Sequence, residues 1–505
     1  MSNFKYVLIF IGITLSVVMV DIDMTAMNIA IPMIAKDIGI SIYGEQWIIN
    51  GYLIAAASCM ALGGIVGDRF GHKFIFLWGL VGFALASLLA AFSNTEVVLI
   101  SARIAQGFAV GFTFPLSMSL IKIAFPENKQ SIMVSALIAI AGVSQALGPT
   151  FGGLVVTFLD WRWLFWVNLP LCLASFFLVS LIKNVDLFKT QKIIPIKNSF
   201  IFILSMFLIL TVLNNAFDWE TNASLLLILT VLGVLAFGSF LVLELYSKNS
   251  LLDLSLLKGR DFLMINLIRF LTSFIYFSLI YVFSLTLQYA LNLSAYETGF
   301  VMLGMTLAVG GLSLPSGVLI NKIGVKAALK YGLLLLVLGL WALYSIVFDN
   351  SNINKIVVIS IIIGAAFSLL IPGTAAGIII AAPKEKSGGA SGFLLTNSFI
   401  AAGIGVAISG SLMLYSTLTD FQENLLSKLG IKLTSEQLKS MSAVLKQGEN
   451  AGLQEFADIF SSGKIGTIMN YFCESLTAAF SQVILLCVGF SLTAFALSFF
   501  LTEKK

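Results

Sequence analysis

Residues 64–73 read Gly64-Ile65-Val66-Gly67-Asp68-Arg69-Phe70-Gly71-His72-Lys73, and residues 317–326 read Gly317-Val318-Leu319-Ile320-Asn321-Lys322-Ile323-Gly324-Val325-Lys326. Gly64/Gly317, Arg69/Lys322, Gly71/Gly324 and Lys73/Lys326 recur at a single offset of 253 residues (317 − 64). Each copy links one apolar stretch to the next. A basic, glycine-bearing turn repeated in register predicts two similar halves in one chain, arranged in parallel. In the second copy Asn321 replaces Asp68, so any charge latch built on these turns is one-sided.

Working outward from these turns, roughly fourteen apolar stretches fill the 505 residues, the first near 7–31 and the last near 475–501. Hydrophobic residues make up 59% of the chain and charged residues 11%, against about 25% charged in ordinary soluble domains. Stretches of about 18 or more apolar residues are long enough to cross a bilayer as helices. The expected fold is all-α and integral to the membrane: two pseudo-symmetric six-helix bundles, residues 1–183 and 262–505, with a linker and two extra transmembrane helices at 184–261. Lys and Arg divide 19 to 8 between alternate connections. By the positive-inside rule the richer side, with both termini, is expected to face the cytoplasm. The segment 413–474 is the one long connection, carrying seven acids and five lysines. It is expected outside, with short amphipathic helices between 435 and 460.

Several function classes fall away. His72 is the single histidine, and Cys59, Cys172, Cys473 and Cys487 show no CxxC spacing, so neither a metal site nor a disulfide framework is expected. Gly463-Lys464 is followed by Ile465, which breaks the phosphate-cradling GxxxxGK[ST] pattern of an ATP-driven pump. No enzyme, cofactor or nucleic-acid partner is expected.

Four charges lie deep in the apolar stretches: Asp21, Asp23, Arg103 and Arg269. Intramembrane charges are costly and point to function. Burial disfavours an ionised carboxylate and a nearby cation restores it, so a balanced site exchanges a proton. Arg103 stays protonated and can only tune such a site. Asp21, Thr25 and Asn28 share one helical stripe, while Asp23 points to the other side. Arg269 is expected to snorkel to the interface. Gly148, Pro149, Gly152 and Gly153 allow close helix approach and a bend.

The motifs, taken in order, resemble the major facilitator superfamily and, within it, the fourteen-helix drug:proton antiporter branch. The resemblance rests on Asp23-Met24-Thr25-Ala26-Met27-Asn28-Ile29-Ala30-Ile31-Pro32, the Gly64–Lys73 turn, Arg103-Ile104-Ala105-Gln106-Gly107, Gly148-Pro149-Thr150-Phe151-Gly152-Gly153, Trp161 to Pro170, and Leu252-Asp253-Leu254 through Phe262. Ser144 stands where the branch has a further glycine, and Phe399-Ile400 where an Arg-Gln pair is common. The resemblance implies a proton-coupled exporter of amphiphilic drugs or biocides, working by alternating access. The alternatives are a dedicated exporter of one endogenous metabolite and a proton-coupled importer. It implies Asp23 as main proton site, Asp21 as second and Arg103 as their cation. It implies a conformational latch at Gly64, Asp68, Arg69, Gly71 and Lys73, and an antiporter helix at Gly148, Pro149, Gly152 and Gly153. Thr25, Asn28, Trp47, Tyr52, Gln106, Gln145, Tyr276, Tyr281, Gln288 and Asn397 are the expected cavity groups. The expected setting is a bacterial cytoplasmic (inner) membrane. The expected partners are protons, lipid and a small amphiphile, and the expected working unit is a monomer.

Overall fold

A computed structural model describes residues 3–40, 42–182, 193–216, 219–247, 249–347, 353–383, 386–434, 437–438 and 465–502. Residues 183–192 of the expected basic linker (Lys183 to Lys197) and the short helices expected within 435–460, save 437–438, lie outside the described residues. Among the described residues fourteen helices are long and apolar enough to cross a bilayer. They are α1 (Asn3–Ile38), α2 (Ile42–Phe70), α3 (His72–Ala91), α4 (Glu96–Ala124), α5 (Glu127–Phe158) and α6 (Trp163–Ser180, stepped at Val167). Then come α7 (Ile196–Asn214), α8 (Trp219–Tyr246), α9 (Arg260–Tyr289), α10 (Ala295–Ile323), α11 (Val325–Val347), α12 (Ile353–Ala381), α13 (Ser387–Leu429) and α14 (Ile465–Phe499). The polar connection expected from 413 begins later, because α13 continues to Leu429. Its apolar side there still packs, with Phe421 against Phe472 of α14 and Leu425 fully buried.

The repeated turns do the same job twice. Gly71 (φ 105°) and Gly324 (φ 83°) sit between consecutive helices in a backbone region that disfavours side chains. The halves then pack alike: α1 on α5 and α6, α2 on α4, and α3 on α4, matched by α9 on α13 and α14, α10 on α12, and α11 on α12. Between halves, α5 packs on α10 and α2 on α13. Of the extra pair, α7 packs on α2 and α13, and α8 packs on α7. Asn50 Nδ2 donates to Asn214 Oδ1 (2.7 Å), and Ser411 Oγ donates to Leu213 O (2.8 Å). The pair therefore backs one of the two seams and leaves the α5–α10 seam bare.

Fourteen crossings put the start of α1 and the end of α14 on one face, here the terminal face; the other is the loop face. The halves are closed on the loop face. Thr150 Oγ1 donates to Gly299 O (3.1 Å), Ser284 Oγ to Asn28 O (3.0 Å), and Gln288 Nε2 to Ile29 O (3.3 Å). They part towards the terminal face. On α5 the stretch Gly148–Val156 is largely buried, whereas between Glu127 and Val143 Leu137 is the one buried side chain among those described. On α10, Ser316 and Ile320 are the buried positions after Gly310. Gly64, Gly311, Gly317 and Gly392 on that side have nothing within 4 Å of a Cβ position.

On the terminal face the extra pair and the segment after it are tied to the second half. Glu244 at the end of α8 is buried and accepts hydrogen bonds from Asn198 Nδ2 (2.6 Å) and the Leu252 backbone amide. Asp253 caps the 3-10 turn Leu254–Lys258 and pairs with Lys386 Nζ at 2.8 Å, beside the start of α13. Burial works to raise the proton affinity of Asp253, but the hydrogen bonds from Lys386 and Ser255 prevail and hold its carboxyl below the usual range.

Candidate functional site

The deepest polar cluster grows from α1. Two residues apart on a 3.6-residue helix means about 200° apart, so Asp21 and Asp23 leave α1 in different directions. Asp23 points into the first half. Its Oδ2 accepts from Arg103 Nη1 at 2.6 Å and its Oδ1 from Asn168 Nδ2 at 2.9 Å. Arg103 Nη1 also donates to Gln106 Oε1 (2.8 Å), and Arg103 Nε donates to Ile48 O (3.2 Å). Gln106 Nε2 donates on to Ser87 Oγ (2.8 Å). Tyr52 lies beneath the guanidinium, its ring centroid 4.3 Å from Cζ, a cation–π contact. Arg103 is 1% exposed. Helices α1, α2, α3, α4 and α6 thus converge on one ion pair whose charges and hydrogen-bonding capacity are matched, the condition for keeping charge in a low-dielectric interior.

Asp21 points instead to the seam between halves. It is 1% exposed. Its Oδ1 accepts from Gln145 Nε2 of α5 at 3.0 Å, and its Oδ2 has no hydrogen-bond partner. Asp21 forms no ion pair among the described residues. Thr25 Oγ1 donates to Asp21 O (2.8 Å) and packs against Gly148, where a Cβ would lie 1.8 Å from that oxygen. A Cβ on Gly152 would meet Ala26 O at 2.8 Å, and one on Gly153 would meet Ala295 O of α10 at 2.5 Å. The Gly148–Gly153 segment therefore brings α5 close to α1 on one side and to the other half on the second. Pro149 O in turn lies 2.8 Å from a Cβ position on Gly299.

The other expected residues take varied places. Gln145 lies at the seam beside Asp21, and Tyr276 packs on Phe367 of α12, ring centroids 5.0 Å apart. Asn397 donates to Asn266 O (2.9 Å) between α13 and α9. Asn28 and Gln288 belong to the loop-face closure. Tyr52 and Gln106 belong to the Arg103 cluster, inside one half. Trp47 packs on Phe207 of the extra helix α7 (centroids 5.7 Å apart) and so looks away from the seam. Arg269 does not reach for the interface. It donates to Ser398 Oγ (2.8 Å), Ile371 O (3.0 Å) and Thr374 Oγ1 (3.2 Å), because α12 and α13 supply acceptors closer than the headgroups. Lys73 donates to Ser180 O and Ile182 O (2.8 and 2.6 Å) at the C-terminal end of α6, a favourable place for a cation. Asp68 lies 3.1 Å from His72 Nε2, and Arg69 sits over Phe70. These contacts of the latch turn lie within the first half.

Two buried carboxylates escaped the reading that put only Asp21 and Asp23 deep in helices. Glu45 (3% exposed) and Glu244 (4% exposed) lie at helix ends but are covered by neighbouring elements. Tyr289 Oη donates to Glu45 Oε1 at 3.4 Å. Nothing in local sequence marks them, because the groups that cover Glu45 come from α9, α13 and α14.

A pseudo-symmetric pair of six-helix bundles, closed on one face and parted on the other around buried charge, defines a membrane transporter rather than an enzyme. The particular family follows from comparison: a family model described as Major Facilitator Superfamily matches residues 13–265 and 265–419. The chain belongs to that superfamily, and it is a multi-pass membrane protein. It is similar to the Multidrug transporter protein MdtP of Bacillus subtilis (strain 168), 27% identical, with 99% of this chain and 95% of that protein covered. It is also similar to the Tetracenomycin C resistance and export protein of Streptomyces glaucescens, 27% identical over 80% of this chain and 75% of that one. Among solved structures, a bacterial homolog to the human lysosomal transporter Spinster, inward-facing and unoccupied, aligns with a TM-score of 0.66 at 14% identity, covering 99% of this chain and 98% of that one.

Proposed function

We propose that this protein is a proton-coupled exporter of amphiphilic compounds that works by alternating access in a bacterial cytoplasmic membrane. The observation that carries the reading is Asp21: a buried carboxylate at the seam between halves, held by one hydrogen bond from the opposing wall of its own half and otherwise unsatisfied. Leaving such an oxygen ionised and unpaired is costly, so the group is suited to take up a proton and give it back. Asp23 and Arg103 then serve as the fixed charged floor beneath it. This division reverses the emphasis that family resemblance places on Asp23, and follows from the two directions in which α1 projects its acids.

Export is supported by a relative named for resistance and export. If the Lys- and Arg-rich terminal face is cytoplasmic, the parted side receives cargo from within. Protonation of Asp21 from outside would remove its buried charge and allow the empty carrier to return. The name of the multidrug relative supports a broad amphiphilic cargo. The tetracenomycin relative is named for a single compound, and supports the second reading, one dedicated product.

The test is transport in proteoliposomes under an imposed pH gradient. Dye efflux should follow the gradient, and Asp21→Asn should abolish cargo-dependent proton movement. Undiminished coupling in Asp21→Asn would overturn Asp21 as the proton site, and efflux indifferent to the gradient would overturn proton coupling itself. Competition among unrelated dyes separates the broad reading from the single-product one.

A further inference from the structure

Arg269 is a deep cation with no countercharge among the described residues. It stands nine residues into α9, about 13 Å from the terminal end of that helix. Arg103 has Asp23, but the second half offers no such acid. α12 contains neither Asp nor Glu, and α13 has none before Asp420. The acids of α9, α10 and α14 are engaged elsewhere: Asp261 accepts from the Thr502 amide, Glu297 closes a capping box with Ser294, and Glu474 pairs with Lys428. A guanidinium carries five N–H donors. Nε and Nη1 of Arg269 find the neutral acceptors described above, and Nη2 has none among the described residues. The side chain is nevertheless partly exposed.

The direction of that exposure follows from helical period. Tyr276 lies seven residues on, about 20° round the same face of α9. It packs on Phe367 of α12 and feels the charge of Asp21 across the seam. Phe274, which meets Phe490 of α14 at the back, lies about 140° from Arg269. Arg269 therefore looks toward the first half, on the terminal side of Asp21, where the halves part. Asp21 itself does not act on it.

We propose that Arg269 is a specificity-determining residue that takes one anionic group, a carboxylate or sulfonate, of an amphiphilic cargo. Neutral acceptors satisfy its hydrogen bonds but leave its charge unbalanced, and an intramembrane charge without a partner is costly. A brace between α9, α12 and α13 would need only an uncharged donor. The unused Nη2 edge of a planar fork suits an acid group. The Tyr276 and Phe367 rings, two turns further in, offer apolar surface to the rest of the molecule. A cation would be repelled, and a neutral ligand would leave the charge as it stands. Acid recognition and proton uptake then use different side chains on separate halves. The inference rests on the exporter reading only in taking the bound acid to be what is carried; the binding chemistry stands by itself.

The probe is naphthylacetate, with neutral naphthylacetamide as its uncharged counterpart, titrated calorimetrically at neutral pH against the full-length protein in phosphatidylcholine nanodiscs. The wild type should bind the acid about tenfold or more tighter than the amide, the scale of a hydrogen-bonded charge partner. Arg269→Gln should remove that preference and leave amide binding within about twofold. Arg269→Lys, which keeps the charge without the fork, should fall between. Asn266→Asp places a carboxylate one turn before the guanidinium and supplies the countercharge from within. It should also remove the preference, and it decides the matter if Arg269→Gln does not fold. Equal binding of acid and amide by the wild type would overturn the proposal, as would a wild-type preference in Arg269→Gln or Asn266→Asp. Loss of acid binding when phosphatidylglycerol replaces part of the lipid would overturn it too, by assigning the site to an anionic headgroup. Failure of the exporter reading is seen separately, as wild-type proteoliposomes that move no dye under a pH gradient whatever the titrations give.

Discussion

Replacing Gly153 with alanine should tilt the carrier away from the conformation described here. The added Cβ would stand 2.5 Å from Ala295 O, 3.2 Å from Ala295 C and 3.4 Å from Tyr296 Cα. All three are backbone atoms of α10, so no side chain can rotate aside. A tolerable carbon–oxygen approach is about 3.3 Å or more, so the two helices must separate by roughly 1 Å at this point. Overpacking of this kind costs about 1–3 kcal/mol. The penalty applies only while α5 and α10 touch on the loop face. A midpoint of about 2 kcal/mol would shift the balance between the two facing states by about 30-fold. Spin labels at Thr157 and Phe300 on the loop face, and at Ile132 and Val318 on the terminal face, all exposed positions, would report the shift by pulsed electron resonance. The loop-face distance should lengthen and the terminal-face distance shorten. Gly317→Ala, with open space around it, is the control that should move neither. Unchanged distances in Gly153→Ala alongside a lowered melting temperature would refute the reasoning, since the contact would then matter to folding and not to the balance of states.

Two further outcomes are expected. Asp23→Asn leaves Arg103 buried without its countercharge and should lower stability by about 3–5 kcal/mol, with Asp23→Asn/Arg103→Met recovering much of the loss; thermal melting in detergent reads both. Lys386→Ala removes a partly exposed ion pair and should cost at most about 1 kcal/mol at pH 7. Because Asp253 is held below its ordinary value of 3.8, the pair's stabilisation is fully present above that value and fades as pH falls through the lowered one. The melting difference between Lys386→Ala and wild type should therefore persist down to about pH 5 and close in stronger acid; a difference that grows on acidification would contradict the assignment.

The fourteen spans were readable, though not the extension of α13 to Leu429, because a helix in lipid must satisfy its backbone internally and face apolar surroundings along its length. The close approach at Gly148–Gly153 was readable for a related reason, since side-chain volume is a local property. The opposed directions of Asp21 and Asp23 follow from helical period alone, but which neighbour each would meet does not. Asn168 comes from α6 and Gln145 from α5, each more than 100 residues away in the chain. The same distance hid Trp47's contact with α7 and the acceptors that keep Arg269 inside its own half.

From its amino acids alone, this protein's solvent, its number of crossings, its duplication and its family motifs could be stated, because hydropathy, charge placement and glycine spacing act over a few turns of one helix. Tertiary packing alone decided which acid is sealed against a guanidinium and which stands half-satisfied at the seam between halves. It also decided that the seam is shut on the loop face, and that Glu45 is covered by side chains from the far end of the chain. Those outcomes depend on which helix faces meet across the two halves, a relation that exists only once all fourteen helices are assembled.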